Sequence, residues 1–261
     1  MIFEVLDGED ESYILYLLET RKRVTNAELC SLLNLSTSTV RKKLARMEQQ
    51  GLLLRTYGGA ASLDAERDET IGKKTRLNLL QKRAIAQAAS RYLRDGETIA
   101  LGGSSTVMEL ASYVLKLKKA VVFTDSTMIA SLISKSRDLE VRINSGIVRS
   151  RTGCIVGPHA QDLFKNNYVQ RAFIGCDSFS LESGAGSDNI LVGQVERSIL
   201  LCAKERYILC DSTKLNQPSI CSYASLSEIT ALITDGEANP EFIAGLRTKG
   251  LNVIVAKLPH L

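Results

Sequence analysis

The amino-acid sequence predicts an α/β protein in two parts, a small helical domain followed by a larger layered domain. Two observations lead to this prediction. Up to residue 60, apolar residues recur at helical spacing around a basic segment, whereas from Leu77 onward apolar runs typical of buried strands alternate with helical stretches. We expect the first domain to occupy residues 1–60, a linker residues 61–76 and the second domain residues 77–261.

The first domain is predicted to contain three short helices. Apolar residues at helical spacing indicate a helix over residues 11–20, preceded by an arm of ten residues. Thr25 and Asn26 are suited to cap a second helix, which is expected to end at Asn34. Ser36 offers the N-cap of a third helix. The apolar face of that third helix consists of three residues at helical spacing, Val40, Leu44 and Met47.

The other face of the third helix is polar, with small hydroxyl side chains at its start and cations after them. Two short helices joined by about three residues, the second with such a face, are typical of a helix-turn-helix, whose second helix enters the major groove of DNA. Gly51 is expected to stop the helix. Residues 52–54 and 55–57 are then predicted as two strand-like arms near a Gly58-Gly59 tip, a wing able to lie along a phosphate backbone.

The distribution of charge separates this prediction from an ordinary helical hairpin with a solvated basic face. Between Arg21 and Gly59 there are eight cations and two acids, a surplus of six, whereas the first 20 residues contain six acids and no cation. Positive charge is thus concentrated on the helix-turn-helix, which favours binding to double-stranded operator DNA. The residues predicted to contact DNA are Ser36, Thr37, Ser38, Thr39, Arg41, Lys42, Lys43, Arg46, Arg55, Tyr57, Gly58 and Gly59.

The second domain is predicted to be a mostly parallel sheet covered by helices. Several of the candidate strands are nearly continuous apolar runs, which suit strands that are buried on both faces. The seven candidates are residues 98–101, 120–124, 139–143, 172–175, 207–210, 231–234 and 252–255. Helices are expected at residues 79–93, 105–115, 126–134, 192–203 and 240–249.

Three loops at the ends of these strands have the residues of an anion site. In such sheets ligands bind where strands end and helices begin, because backbone N–H groups and the helix dipole favour an anion there. The loops at residues 102–106 and 124–126 are rich in hydroxyls, and the loop at residues 211–214 ends in a lysine suited to a phosphate. Plain turn geometry is an equal alternative for Gly146 and Gly175. The predicted effector-binding residues are Gly103, Ser104, Ser105, Thr106, Thr124, Asp125, Ser126, Gly146, Gly175, Asp177, Asp211 and Lys214.

At both sets of residues the chain resembles the DeoR/GlpR-type bacterial repressors of sugar metabolism. The helix and wing of that family are similar to residues 36–44 and 54–60, with Lys42-Lys43 in place of the usual Arg-Asp and Tyr57 in place of His. The three loops of the second domain fall on the loops of the family's sensor domain, with Gly102 in place of Asp and Ser104 in place of Gly. The resemblance covers nearly the whole chain. It implies a sensor domain similar to sugar-phosphate isomerases and coenzyme A transferases, and a phosphorylated sugar as effector.

Three functions are compatible with the sequence. They are a transcriptional regulator with a sugar-phosphate effector, an isomerase or transferase with an appended nucleic-acid-binding module, and an architectural DNA-binding protein. The regulator is favoured, because neither His159 nor His260 lies in a catalytic motif. Glu182 is expected in a loop and Glu196 at an exposed helix position, with no neighbour in sequence to activate either. We therefore predict no catalytic residue, no metal and no cofactor.

The remaining expectations concern compartment and assembly. Six cysteines without paired spacing indicate buried, reduced thiols rather than disulfides or zinc ligands. No apolar run reaches the roughly 18 residues of a membrane span, and the acidic N-terminus is unlike a signal peptide, so a cytoplasmic protein is predicted. A homodimer or homotetramer is expected, because one winged helix contacts too little DNA for the affinity that operators require.

Overall fold

A computed structural model describes residues 9–21, 23–49, 52–56, 58–61, 77–217 and 219–258. Contacts within the chain divide it into two compact units, Met1–Asp68 and Glu69–Leu261. Most of the predicted linker, together with Gly51 and Tyr57, lies outside the described residues. The predicted domain boundaries therefore stay predictions.

The first unit is a bundle of three helices closed by a small sheet. In chain order its elements are α1 (Glu9–Arg21), β1 (Arg23–Thr25), α2 (Asn26–Leu33), α3 (Thr37–Gln49), β2 (Leu54–Thr56) and β3 (Gly59–Ala61). The strands form an antiparallel sheet in the order β1-β3-β2. Their apolar residues share one core, which includes Ile14, Leu17, Leu18, Leu29, Val40, Leu44, Met47 and Leu53. The predicted apolar face of the third helix is therefore confirmed.

Side-chain caps fix the ends of the helices. The Thr25 hydroxyl accepts a hydrogen bond from the Glu28 amide at 3.1 Å, and the Glu28 carboxylate accepts one from the Thr25 amide at 2.7 Å. Asn34 ends α2 in the left-handed conformation, with φ of 53°. The Ser36 hydroxyl accepts from the Thr39 amide at 3.2 Å at the start of α3. These ends confirm the predicted caps of the second and third helices.

Two predictions for this unit are wrong. The helix expected at residue 11 begins at Glu9, so the predicted arm cannot include Glu9 and Asp10. Residues 52 and 53 are not part of a strand, and Leu53 is buried in the core of the unit. The wing consists instead of β2 and the antiparallel strand β3. Strand β1 was not predicted, because three residues are too few to show alternation.

The second unit is built on a seven-stranded parallel sheet. Its strands are β4 (Thr98–Leu101), β5 (Ala120–Thr124), β6 (Leu139–Ile143), β9 (Val169–Gly175), β12 (Ala203–Leu209), β14 (Ala231–Asp235) and β15 (Val253–Ala256). They lie in the order β15-β14-β12-β9-β4-β5-β6. All seven predicted strands are present and all seven belong to this sheet, which confirms the α/β class.

Helices cover both faces of the sheet. They are α4 (Leu79–Ser90), α5 (Ser105–Val114), α6 (Thr127–Ile133), α7 (Asp162–Lys165), α8 (Ile190–Leu201) and α9 (Pro240–Thr248). One apolar core packs α4, α5 and α6 against the sheet, and the other packs α8 and α9 against its opposite face. The predicted helices are present with ends shifted by up to three residues, as where α4 ends at Ser90 rather than at residue 93.

The order of the strands reverses next to β4. From β4 the chain moves outward through β5 to β6, and then crosses to β9 on the other side and moves outward through β12 and β14 to β15. The connections after β4 and β9 therefore leave these adjacent strands toward opposite faces of the sheet, and we call the region at the carboxyl ends of the two strands the crevice. This is where a ligand of such a sheet is expected.

Smaller elements complete the unit and were not predicted. A hairpin of β7 (Ile147–Val148) and β8 (Ile155–Val156) follows β6. An antiparallel sheet combines β10 (Ser178–Ser180), β11 (Gly184–Ser187) and β13 (Cys221–Ala224). These strands are two to four residues long, which is too short to show either alternation or an apolar run.

The six cysteines are free thiols, of which Cys154, Cys176, Cys202 and Cys210 are buried. The prediction of reduced thiols is thus confirmed, and four of them are buried as expected. Within the part of the chain that the structure describes, no helix has the length and apolar character needed to cross a membrane.

We expect Gly59→Ala to destabilise the first unit and Gly58→Ala to leave it unchanged. A Cβ atom on Gly59 would overlap the Val24 carbonyl oxygen on β1, which is backbone and cannot rotate away, whereas a Cβ on Gly58 meets no atom within 4 Å. The loss for Gly59→Ala should be on the order of 2 kcal/mol or more, against roughly 0.5 kcal/mol or less for Gly58→Ala. Hydrogen exchange of the amides of α2 and α3 measures both. Equal protection in the two variants would contradict the prediction.

Candidate DNA-binding face and effector cleft

The exposed face of α3 carries most of the predicted DNA contacts. Thr37, Ser38, Arg41 and Lys42 are exposed at positions that share one face of the helix, and Arg46 continues that face one turn later. The opposite face is buried in the core of the unit. The arrangement offers hydroxyl groups at the amino end of the helix and cations along it, which suits base edges and phosphates respectively.

Several of the predicted residues have partners within the unit, among them Ser36, Thr39 and Lys43. The Ser36 hydroxyl lies 2.9 Å from the Ser38 hydroxyl and 2.8 Å from the Thr39 hydroxyl, so Ser36 and Thr39 help to hold the start of α3. Lys43 is only partly exposed, and its ammonium lies 3.2 Å from the Asp10 carboxylate of α1. Lys43 therefore binds α1 to α3, and its charge is in part compensated by Asp10.

The wing presents one predicted cation. The Arg55 amide donates to the Glu48 carboxylate at 3.0 Å, and the Arg55 guanidinium lies 3.9 Å from the same group, at the junction of α3 and β2. Gly58 is exposed in the turn between β2 and β3, whereas Gly59 is buried in β3. The structure thus places Gly59 in the sheet and not at an accessible tip, because β1 lies directly against it.

The loop after β4 lies at the point where the strand order reverses. Ser104 is the N-cap of α5, and its hydroxyl accepts from the Val107 amide at 3.2 Å. Ser105 and Thr106 follow in the first turn and are buried. The amino end of a ten-residue helix, with three hydroxyl groups on it, therefore opens at the crevice.

The loop after β5 contributes a buried carboxyl group beside the first loop. Asp125 is 1% exposed, and a Cβ atom on Gly103 would lie 3.3 Å from its Oδ1. Oδ1 has no hydrogen-bond partner in the described part of the chain, whereas the Asp125 carbonyl accepts from the Ile155 amide at 2.7 Å. Burial raises the pKa of Asp125 to about 7, while hydrogen bonds from its own amide and that of Gly103 partly oppose this. A neutral carboxyl near pH 7 can both donate and accept a hydrogen bond.

The loop after β9 packs directly on the loop after β4. A Cβ atom on Gly175 would overlap the Ser104 side chain, so only glycine permits this approach. The Gly175 carbonyl accepts from the buried Tyr223 hydroxyl at 2.5 Å. Close packing against Ser104 accounts for Gly175, and its predicted contact with an effector stays a prediction.

Lys214 comes from the loop after β12 and points to the same edge. Its ammonium donates to the Cys176 carbonyl at 2.8 Å, one residue after Gly175. Burial lowers the pKa of Lys214, but the neighbouring Cys176 and Cys210 thiols and the nearby aspartates outweigh this effect and raise it above its ordinary value. The side chain therefore keeps a full positive charge beside the crevice.

Two residues of this loop system were missed by the sequence analysis. Asn78, next to the start of α4, donates from Nδ2 to Asp211 Oδ1 and to Thr213 Oγ1, both at 3.2 Å. Asp235, at the end of β14, accepts from the Ser212 amide at 2.7 Å. Asp235 ends a predicted strand, as Asp211 follows one, so a signal for it was present. No sequence signal connects Asn78 to a loop that lies more than 130 residues away.

Gly146 and Asp177 are placed differently from the other predicted effector residues. A Cβ atom on Gly146 would lie 2.5 Å from the Val156 carbonyl oxygen, and its φ is +146°, so contact with β8 accounts for this glycine. Asp177 Oδ2 accepts from the Asp188 amide at 3.1 Å and from the Ser187 hydroxyl at 3.3 Å. Gly146 therefore packs against the β7–β8 hairpin. One carboxylate oxygen of Asp177 binds Ser187, at the end of β11, and Asp188, in the turn after it.

Of the candidate acid–base groups outside these loops, His260 lies outside the described residues, and the described ones lie in three different elements. His159 is exposed and lies 3.3 Å from the Asp162 carboxylate. Glu182 is exposed in the turn between β10 and β11, as predicted. The prediction of an exposed Glu196 is wrong, because this residue of α8 is only 8% exposed and lies in the interior of the second unit. Among the described residues no group of His, Cys, Asp and Glu is arranged to hold a metal ion.

The fold and these two sets of residues define a helix-turn-helix regulator with an attached sensor domain. The model of the DeoR-like helix-turn-helix domain matches residues 11–66, and the model of the DeoR C terminal sensor domain matches residues 77–236. The chain therefore belongs to the DeoR family of transcriptional regulators. The resemblance seen in the sequence is confirmed.

Curated relatives match over most of their length. The HTH-type transcriptional regulator GlpR of Haloferax volcanii is 30% identical over 85% of this chain and 87% of its own. The HTH-type transcriptional repressor GlcR of Bacillus subtilis is 29% identical, covering 94% of both chains. A putative aga operon transcriptional repressor of Escherichia coli O157:H7 is 26% identical over 95% of this chain and 93% of its own.

Solved structures match more distantly. A D-ribose-5-phosphate isomerase in complex with phospho-erythronic acid aligns with a TM-score of 0.39 and 17% identity, covering 51% of this chain and 52% of its own. A translation initiation factor eIF-2B of Pyrococcus horikoshii aligns with a TM-score of 0.43 and 12% identity, covering 87% and 82%. Likenesses at this level have no bearing on what this chain binds.

We expect Asp125→Asn to remove a pH dependence of stability. Because the pKa of Asp125 rises from 3.8 to about 7 on folding, the folded protein holds a proton that the unfolded chain has lost between these values. The free energy of unfolding should therefore fall as the pH rises from about 4 through about 7. Asp125→Asn cannot ionise. It should resemble the wild type near pH 5 and be the more stable protein near pH 8.5, roughly, in denaturant unfolding at each pH.

The exposed Asp138 provides the control for this measurement. Asp138→Asn should change stability by the same small amount at both pH values. A stability difference between Asp125→Asn and wild type that does not vary with pH would contradict the assignment.

Proposed function

We propose that this protein is a DNA-binding repressor of a carbohydrate-metabolism operon, and that a phosphorylated sugar in the crevice of the second unit changes its affinity for the operator. The observation that carries the proposal is the convergence of Lys214 and the hydroxyl-lined start of α5 at the point where the strand order reverses. The names of the relatives support it, since they include repressors and an aga operon.

The DNA side of the proposal rests on α3 and the wing. We assign Thr37, Ser38 and Arg41 to base edges, because they lie at the amino-terminal part of the exposed face. Lys42, Arg46 and Arg55 are assigned to phosphates, with Lys43 as a further cation whose charge is shared with Asp10. Tyr57, Gly58 and the remaining hydroxyl residues complete the proposed surface.

We expect Lys42→Ala to reduce the salt dependence of DNA binding. Loss of one phosphate contact releases one counterion fewer, so the slope of log affinity against log salt should fall by about one. Fluorescence anisotropy with any labelled duplex at several salt concentrations measures this slope. Lys249→Ala, an exposed lysine of the second unit, should leave the slope unchanged. Equal slopes for wild type, Lys42→Ala and the combined Lys42→Ala, Arg46→Ala and Arg55→Ala variant would contradict the assignment.

The effector side rests on three kinds of group at one edge of the sheet. Ser104 caps the positive end of α5, Ser105 and Thr106 lie in its first turn, and the Lys214 ammonium is held nearby through the Cys176 carbonyl. Hydrogen bonds to a charged phosphate contribute roughly 1.5–3 kcal/mol each, which separates a sugar phosphate from the free sugar. Asp125, with an unpartnered buried oxygen, is assigned to a sugar hydroxyl.

A connection from this crevice to the chain ahead of α4 begins at Asn78. Asn78 joins the loop of Lys214 to the first residues that the structure describes in the second unit. The buried Lys82 donates to the Leu77 carbonyl at 2.6 Å and fixes the same point. An effector that shifts the Asp211–Lys214 loop therefore acts on the start of the second unit through Asn78.

We expect Lys214→Ala to abolish the response to effector without changing operator affinity in its absence. A thermal-shift panel of sugar phosphates, free sugars and inorganic phosphate identifies the ligand, and anisotropy with operator DNA measures the response. The wild type should be stabilised by a sugar phosphate and far less by the free sugar. Lys214→Ala should lose this shift, because the ammonium no longer neutralises the phosphate.

Asn78→Ala separates binding from transmission. It should keep the thermal shift and lose most of the change in operator affinity, since it removes no proposed contact with the ligand. Lys249→Ala serves as the control. The crevice is not an anion site if Lys214→Ala responds at the same effector concentration, or if the unphosphorylated sugar acts equally well.

The alternative of an isomerase or transferase is not favoured by the described residues. Turnover of the ligand found in the thermal-shift panel distinguishes the two functions directly. We further propose that the protein acts in the cytoplasm as a homodimer or homotetramer, because one copy of α3 and its wing offers few contacts to DNA. The domain boundaries predicted from the sequence are part of the same proposal.

A further inference from the structure

Strand β6 forms an open edge of the seven-stranded sheet. Within the residues that the structure describes, it pairs with β5 on one side only. The Asn144 amide, directly after β6, donates to the Thr124 carbonyl of β5 at 3.4 Å. Because backbone groups alternate in direction along a strand, the amides and carbonyls of Leu139, Val141 and Ile143 face away from β5. They form a row of groups ready for another strand.

Apolar side chains are exposed along this edge and just beyond it. Ile143 is 42% exposed at the end of β6, and Ile147 and Val148 of the following hairpin are 67% and 52% exposed. A sheet edge with exposed apolar side chains beside it is a site where another strand pairs, unless something covers it.

The residues of β6 form a chemical palindrome. In chain order β6 is Leu139-Glu140-Val141-Arg142-Ile143, that is, apolar, acidic, apolar, basic, apolar. Read in reverse, the apolar positions are the same and the acidic and basic positions change places. If a second copy of β6 lies antiparallel with Val141 on the two-fold axis, Glu140 of each copy faces Arg142 of the other. Leu139 then faces Ile143. Both charged side chains are exposed and lie on one face of the strand.

We propose that two copies of this chain associate through β6, as an antiparallel pair centred on Val141 that joins two seven-stranded sheets into one. In this register the outward backbone groups of residues 139, 141 and 143 all meet partners on the other copy. The inference rests on the proposed oligomer and specifies its interface. Such a contact has the two-fold symmetry that is commonest among homodimers, and it leaves the crevice at the carboxyl ends open.

The charges on β6 have a second interpretation. Within one copy the Arg142 guanidinium lies 2.6 Å from the Glu140 carboxylate and 5.4 Å from the Phe123 ring centroid, so both side chains already have partners. Charged residues on an edge strand also discourage pairing. The two interpretations predict different effects of charge reversal. Only if two copies pair through β6 does the position of the acidic and the basic residue in one copy affect its association with another.

Charge exchange on the full-length protein tests the proposal. Glu140→Arg places Arg opposite Arg twice, and Arg142→Glu places Glu opposite Glu twice. Each should raise the dissociation constant of this association by roughly tenfold or more, because like charges replace attractive pairs across the strands. The double variant Glu140→Arg/Arg142→Glu restores attraction and should associate as the wild type does. Sedimentation velocity and light scattering at micromolar concentration measure each state.

Mixing provides the sharper measurement. The Glu140→Arg and Arg142→Glu proteins should associate with each other although neither associates with itself, since the mixed pair again sets Arg opposite Glu on both sides. Glu182→Arg, an exposed charge reversal in the β10–β11 turn, is the control and should associate normally. Val141→Pro, which removes the central amide at an open edge, should abolish association while far-UV circular dichroism stays unchanged.

The outcomes separate this inference from the proposed function. If the single variants associate as the wild type does, the β6 interface is wrong and the copies associate through another surface. A wild type that is monomeric with and without DNA would overturn both the interface and the proposed oligomer. Loss of association with retained salt-dependent DNA binding in the single variants would support the interface and leave the DNA assignment intact.

Discussion

The second unit depends on the close approach of Ser104 to Gly175 across the reversal of strand order. The adjacent strands β4 and β9 end side by side there, and the segments after them can meet only because residue 175 has no side chain. The contact has two consequences. It places the start of α5 at the crevice, and it brings the Cys176 carbonyl to where it holds the Lys214 ammonium. A larger residue at position 175 would displace both.

Charge is arranged oppositely at the two ends of the same sheet. At the amino ends of the strands the Arg171 guanidinium lies between the Glu97 and Glu205 carboxylates, and Glu205 also accepts from the Tyr207 hydroxyl at 2.7 Å. These partly buried groups compensate one another. At the carboxyl ends the Lys214 ammonium lies near Asp177 and Asp211, and hydroxyl residues form the N-cap and first turn of α5. The amino ends thus carry a closed ion-pair network that suits stability, whereas the carboxyl ends combine a cation with the positive end of a helix.

Sequence patterns predicted what depends on local chemistry and missed what depends on contacts between distant segments. Most of the seven parallel strands were found because burial on both faces leaves a nearly uninterrupted apolar run, whereas the edge strand β6 alternates apolar and charged residues. The caps at Thr25 and Ser36 were found because they depend on neighbouring residues. The strands of the small sheets were missed, since they are too short to show a periodic signal. Glu196 was misplaced because helical spacing alone does not show that a charged residue faces inward.

Asn78 shows why the proposed connection between effector binding and DNA binding could not be predicted from the sequence. It adopts φ of 52°, a left-handed conformation that costs a non-glycine residue on the order of 1 kcal/mol, and its side chain does not cap the helix that it precedes. Its amide is instead bound to Asp211 and Thr213. A ligand changes an equilibrium only through a difference in affinity for two states. A strained residue held by the effector loop is suited to supply that difference, because loss of its two hydrogen bonds lets the backbone at the start of α4 relax.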